Sequence, residues 1–135
     1  MKLKDLSSIT SNLSVLYVED DITLREQNSE FFKQLFKSVK IASDGEEAIK
    51  LYEKNSFDII ITDINIPKIN GLTMIKTIQQ KDKNQRFLIT TVYKEEELKE
   101  QLKELNLKHF LTKPIATKKL LKKIENIVND FGVVA

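Results

Sequence analysis

From Leu13 onward, short apolar runs alternate with longer segments in which apolar residues recur every three or four positions. The runs are Ser14-Val15-Leu16-Tyr17-Val18, Val39-Lys40-Ile41-Ala42, Asp58 to Thr62, Phe87-Leu88-Ile89-Thr90 and His109-Phe110-Leu111. Runs of this length, rich in β-branched side chains, predict strands. Between them stand Phe31, Phe32, Leu35 and Phe36; then Ala48, Ile49 and Tyr52; Leu72, Ile75 and Ile78; Leu98, Leu102 and Leu105; and finally Leu120, Ile124, Ile127 and Phe131. Each set predicts a helix with one face on a core. A strand-helix pair repeated in this way implies a parallel sheet with helices on both faces, because each right-handed crossover lays its helix on one side or the other. The third run, with Ile59, Ile60 and Ile61 in succession, predicts a strand buried on both faces, and Lys40 marks the second as an edge strand. Turn residues agree with these boundaries: Asp44-Gly45 after the second run, Glu46 and Glu47 suited to a helix's first turn, Gly71 before the third helix, and Asn106 where a left-handed cap would end the fourth.

A chain of 135 residues is the size of one domain with a sizeable core. Residues 1–12 are polar and weakly patterned, an N-terminal arm or linker remnant with Leu3, Leu6 and Ile9 spaced at three; residues 13–131 form the domain, and 132–135 a C-terminal tail. Lys and Arg (22) nearly balance Asp and Glu (20), so the net charge of +2 gives no pull toward nucleic acid or an anionic membrane. No cysteine is present, which excludes disulfides, thiolate catalysis and zinc-thiolate sites. No apolar run approaches the roughly 20 residues of a membrane span, and no signal-peptide core follows Met1. The expectation is a soluble, cytoplasmic protein.

In open parallel sheets ligands bind at the carboxyl ends of the strands. Here the first strand ends in Glu19-Asp20-Asp21, the third in Asp63, the fourth in Thr90-Thr91 and the fifth in Lys113. Taken singly these residues have ordinary explanations. Asp20 or Asp21 can cap the following helix, threonines are common in strands, a strand-end lysine is usually solvated, and His109 reads as a surface residue. Taken together they converge on one edge if the first and third strands are neighbours. Carboxylates brought so close cannot all stay ionised without compensation, and Mg²⁺, which takes oxygen ligands, is the natural compensator. Lys113 could add to it or hold a phosphate oxygen.

These same residues carry a resemblance. Val15-Leu16-Tyr17-Val18-Glu19-Asp20-Asp21, Asp58 to Pro67 with Gly71, Thr91-Val92-Tyr93 and Phe110-Leu111-Thr112-Lys113-Pro114 resemble the motif series of the receiver domains of two-component response regulators, over about residues 13 to 131. The resemblance implies a flavodoxin-like, doubly wound α/β fold with five parallel strands in the order 2-1-3-4-5. It implies Asp63 as phospho-acceptor, attacking the phosphohistidine of a histidine kinase or phosphotransfer protein. A Mg²⁺ (or Mn²⁺) ion would be held by Asp20, Asp63, the backbone carbonyl of Asn65 and, through water, Glu19. Thr91 corresponds to the switch hydroxyl, Phe110 to the switch aromatic, and Lys113 to the lysine that pairs with a phosphoryl oxygen, with Lys113-Pro114 a cis peptide. The protein is then no conventional enzyme, although it catalyses its own Mg²⁺-dependent phosphorylation and dephosphorylation. Its output would be a change in the face formed by the fourth helix, fifth strand and fifth helix, read by a downstream protein, an effector domain absent from this chain, or a phosphorylation-linked dimer. No direct binding of nucleic acid or membrane is expected.

Some positions depart from the family's common pattern. Asn106-Leu107 stands where Gly-Ala is usual, and Val92 replaces a small residue, so that its bulk could narrow access to the acceptor. A phosphorylation-independent interaction module is the alternative reading. A haloacid-dehalogenase-type phosphatase would place a second aspartate where Asn65 stands, and a flavin-binding module would carry a hydroxyl-rich loop in place of Glu19-Asp20-Asp21, whose charge would repel phosphate.

Overall fold

A computed structural model of the chain describes residues 8–130. Residues 1–7 of the predicted arm, Phe131 of the last apolar stripe and the 132–135 tail lie outside the described residues. The elements alternate strictly: β1 (Ser14–Val18), α1 (Ile22–Leu35), β2 (Ser38–Ala42), α2 (Gly45–Lys54), β3 (Ile59–Asp63), α3 (Gly71–Lys81), β4 (Arg86–Thr91), α4 (Glu95–Glu104), β5 (Phe110–Thr112) and α5 (Thr117–Asp130). All strand pairs are parallel, in the order β2-β1-β3-β4-β5. This is the flavodoxin-like order that the resemblance implies.

Strand alternation divides the apolar side chains between two cores. Val15, Tyr17, Ile59, Ile61 and Leu88 face α1 and α5, where Phe32, Leu35, Ile124 and Ile127 meet them. Leu16, Val18, Ile60 and Ile89 face α2, α3 and α4, packing on Ala48, Met74, Ile75, Ile78, Leu98 and Leu102. All five residues of β3 are buried, as a central strand between two helical layers must be. Lys40 lies exposed on β2 at the sheet edge. Tyr17 meets Phe32 edge to face, with ring centroids 5.0 Å apart, a pairing worth about 0.5–1.5 kcal/mol beyond its buried area.

Local chemistry sets the element ends. Asp21 caps α1, its carboxylate accepting from the Leu24 N–H at 3.0 Å, and Asp44 caps α2 through the Glu47 N–H at 2.8 Å. Glu47 reaches back to the Ser43 N–H at 2.7 Å, so each side chain satisfies a donor near the other. Gly71 is the first residue of α3 itself, and Asn70 supplies the cap to Leu72 at 2.8 Å. Asn106 adopts the left-handed conformation (φ 56°) after α4, and the Leu107 N–H returns to the Leu102 carbonyl at 2.8 Å, closing the helix as its position predicts. Residues 8–13 dock beneath α1: Thr10 is fully buried and donates to the Leu35 carbonyl at 2.8 Å. Among the described residues no helix is long and apolar enough to cross a membrane.

Candidate functional site

β1 and β3 are neighbours at the centre of the sheet, in register from Val15 opposite Ile59 to Val18 opposite Thr62. Both chains therefore leave the sheet at the same edge, and their terminal acids meet. Carboxylate oxygens of Glu19, Asp20 and Asp63 lie within 4.8 Å of one another. Glu19 and Asp63 are buried, at 1% and 7% exposure, whereas Asp20 faces solvent. The loop after β5 brings Lys113 between them: Nζ is 2.7 Å from Asp63 Oδ2 and 2.5 Å from Glu19 Oε1. The Lys113-Pro114 peptide is cis, as the resemblance implies.

Hydrogen bonds hold these acids in place. Glu19 Oε2 accepts from the Asp21 N–H at 3.1 Å, and Asp63 Oδ1 accepts from the Asn65 N–H at 3.1 Å. Burial pushes the Glu19 carboxyl above the usual glutamate range, against the Lys113 ammonium and the Asp21 N–H, which pull it down. For Lys113, burial alone would weaken its hold on the proton, but hydrogen bonds to Asp63 and Glu19 outweigh it and raise the ammonium above the ordinary lysine value. Lys113 is thus a fixed cation. Carboxylates still outnumber it three to one, so an electronegative oxygen cluster opens toward water at Asp20, a donor set suited to a hard divalent cation.

Apart from Asn65, the remaining predicted residues make no hydrogen bond to the acids. Thr91 is fully buried at the end of β4, and its hydroxyl accepts from the Tyr93 N–H at 3.3 Å. Its neighbour Thr90, the ladder partner of Asp63, turns to the opposite face of the sheet, toward α1 and α5. Phe110 is half-buried against the core beneath α2, α3 and α4. Asn65 lends its backbone to Asp63 while the residue itself is exposed. Val92 is 65% exposed and Tyr93 40%. Val92 therefore stands out from the fold at the rim.

Two contributions escape a reading of the sequence. Arg25 donates from Nη1 to the carbonyl oxygens of Glu19 (2.9 Å) and Asp20 (3.3 Å), tying the acidic loop to the first turn of α1. A helical side chain leans toward the N-terminus of its helix, so the position four residues after the Asp21 cap was the available signal. Tyr17 hides in an apolar run, yet its hydroxyl accepts from Asn28 Nδ2 at 2.8 Å, and burial drives its phenol well above the ordinary value. His109, in contrast to the surface position expected, is half-buried and paired with Asp130 Oδ2 at 2.9 Å, because α5 closes over the start of β5.

Comparison with known proteins agrees with this architecture. The family model for the response regulator receiver domain matches residues 15–125. A probable chemotaxis protein CheY from Rhizobium etli is 28% identical over 123 residues, covering 89% of this chain and 95% of that protein. Among solved structures, the N-terminal domain of an uncharacterized protein from Wolinella succinogenes superimposes with a TM-score of 0.81 at 32% identity, covering 91% of this chain and 99% of that one. A chain of the CheX-CheY-BeF₃-Mg²⁺ complex from Borrelia burgdorferi also reaches 0.81, at 28% identity and 94% and 98% coverage.

Proposed function

The chain belongs to the response regulator receiver domain family, and from that premise we propose that it is a two-component signalling switch whose Asp63 accepts a phosphoryl group from a histidine kinase or phosphotransfer protein. Receiver domains of this type are not conventional enzymes. The observation that carries the reading is the position of the Asp63 carboxylate, which borders two further acids on one side and bonds the Lys113 ammonium at 2.7 Å on the other. An Asp63 oxygen attacks phosphorus, the bond from phosphorus to the donor's imidazole nitrogen breaks, and an acyl phosphate forms. Glu19, Asp20 and Asp63, with the Asn65 carbonyl, would hold Mg²⁺, which supplies positive charge to the transferring oxygens. Lys113 exchanges its carboxylate partners for a phosphoryl oxygen. Water later attacks the acyl phosphate and releases inorganic phosphate, which returns Asp63 to its free form.

The phosphoryl group adds roughly −1.5 to −2 charges and new acceptor oxygens at the sheet edge. Thr91 leaves the Tyr93 N–H to donate to it, Phe110 follows into the vacated space, and the surface of α4, β5 and α5 changes its affinity for a downstream partner. The relative crystallised with beryllofluoride and Mg²⁺ supports the test. Fluorine NMR of this protein with beryllofluoride and Mg²⁺ is expected to show a bound resonance that vanishes in Asp63→Asn and in chelator. A wild type without it, or an undiminished signal in Asp63→Asn, would refute the assignment.

A further inference from the structure

On the sheet face away from α2, α3 and α4, the two remaining helices leave a cavity of about 180 Å³ between them. Tyr17 and Thr90 reach it from β1 and β4, Asn28 from α1, and Thr117 from the exposed start of α5. Phe32 and Ile115 contribute apolar wall, and no carboxylate or basic side chain lines it. Two of its polar groups have unused capacity. The Tyr17 hydroxyl accepts from Asn28, which leaves its own proton available, and burial keeps the phenol protonated. Thr90 is only 3% exposed, yet its hydroxyl bonds no other described residue. Every fully enclosed side-chain polar atom among the described residues has a partner, so the unpaired Thr90 hydroxyl must border open space. That space is the cavity.

An unpaired hydroxyl so deep in the protein is costly unless something bonds it. Water can bond it too, since Tyr17, Asn28 and Thr117 also offer partners, and water is therefore the occupant that a ligand must displace. An apolar cavity of about 150 Å³ accommodates benzene. We propose that the cavity between α1 and α5 is a binding site for a small uncharged ring compound bearing one hydroxyl group, of the size of phenol, with the ring against Phe32 and Ile115 and the hydroxyl bonded to Thr90 and Tyr17. The absence of lining cations disfavours an anion, and the nearby Glu19 and Asp63 disfavour one further. The site also reaches the machinery above it. Thr90 precedes Thr91 and pairs with Asp63 across the β3–β4 ladder, Tyr17 lies two residues before Glu19, and Ile115 two after Lys113. An occupant therefore touches three of the segments that carry the acidic cluster and Lys113.

The test is a ¹H-¹⁵N NMR titration of the whole protein with phenol and, in parallel, with toluene, which has the same shape without the hydroxyl. Phenol is expected to give saturable shifts centred on Thr90, Asn28 and Ile115, with a dissociation constant on the order of 1 mM, ordinary for about seven non-hydrogen atoms. Toluene should bind about fivefold more weakly, and Thr90→Val should weaken phenol by the same factor. If Thr90→Val does not fold, the toluene comparison decides alone. No saturable shifts, shifts confined to other surfaces, or equal affinity for phenol and toluene would overturn the proposal.

Discussion

Lys113 holds two buried carboxylates at once, and that double contact makes its removal informative. In Lys113→Ala, Glu19 and Asp63 would face each other without a counter-charge. Breaking an interior pair costs about 3–5 kcal/mol; here about 2 kcal/mol is expected, since Asp20 opens the cluster to water. Mg²⁺ should compensate, so thermal melts are expected to show a larger gain on adding MgCl₂ to Lys113→Ala than to the wild type; equal gains would argue against a shared charge cluster. His109, the chain's single histidine, gives a second residue-scale prediction. Burial lowers its proton affinity below the ordinary 6.5, the Asp130 carboxylate opposes this, and Lys123 and Lys108 add to it. Because the folded value is depressed, the stability contributed by the neutral ring is present above pH 6.5 and is lost as pH falls through the lowered folded value. An NMR titration should place the His109 midpoint below 6.5 and lower again in Asp130→Asn. Asp63 and Lys113 were legible in the sequence because each is a charged residue at the end of an apolar run. Arg25 and the His109–Asp130 pair were not, since a charged helix position reads as solvated face and a contact across 21 residues leaves no local pattern.

At the scale of elements, what positions Asp63 is the close passage of α3 beneath the loop that follows β3. Gly71 begins that helix, and its N–H bonds the Ile64 carbonyl at 2.9 Å. A Cβ at Gly71 would lie 2.5 Å from the Asp63 carbonyl oxygen and 2.7 Å from Ile64 Cα, both backbone atoms that cannot swing aside. Gly71→Ala is therefore expected to lower stability by about 1–3 kcal/mol in denaturant unfolding and to reduce beryllofluoride uptake, since the loop that follows Asp63 must shift with the helix. A variant with wild-type stability and uptake would contradict this tight packing. Element order and type were readable from periodicity alone, and the edge strand marked by Lys40 and the helix end marked by Asn106 follow from residue chemistry. Boundaries moved by a residue where side chains intervene. Asp58, predicted to open the third strand, stands just before β3, with its carboxylate accepting from the Ser14 N–H at 2.8 Å. Lys94 at the start of α4 offers no capping side chain, and Glu95, Glu96 and Glu97 stand in the first turn where the helix dipole favours them.

For the molecule as a whole, the strand order is what turns scattered residues into a site. Because β1 and β3 are adjacent and β4 and β5 follow on one side, acids, hydroxyls and a lysine separated by 94 positions of sequence gather at one edge. The two helical layers then divide the consequences. Thr91 and Phe110 belong with the α4 side, where the proposed signal is read, while Thr90 and Tyr17 belong with the cavity under α1 and α5. The sequence could announce the edge, through the polar residues ending each apolar run, but not the split, because Thr90 and Thr91 are identical neighbours that differ only in the face they meet. Asp63 at this edge is the residue proposed to take the phosphoryl group. The most direct test of that proposal is intact-mass spectrometry of the protein incubated with acetyl phosphate and Mg²⁺. The wild type should gain the mass of one phosphoryl group, Asp63→Asn should gain none, and chelator should abolish the gain; an unmodified wild type, or the same gain in Asp63→Asn, would contradict the account.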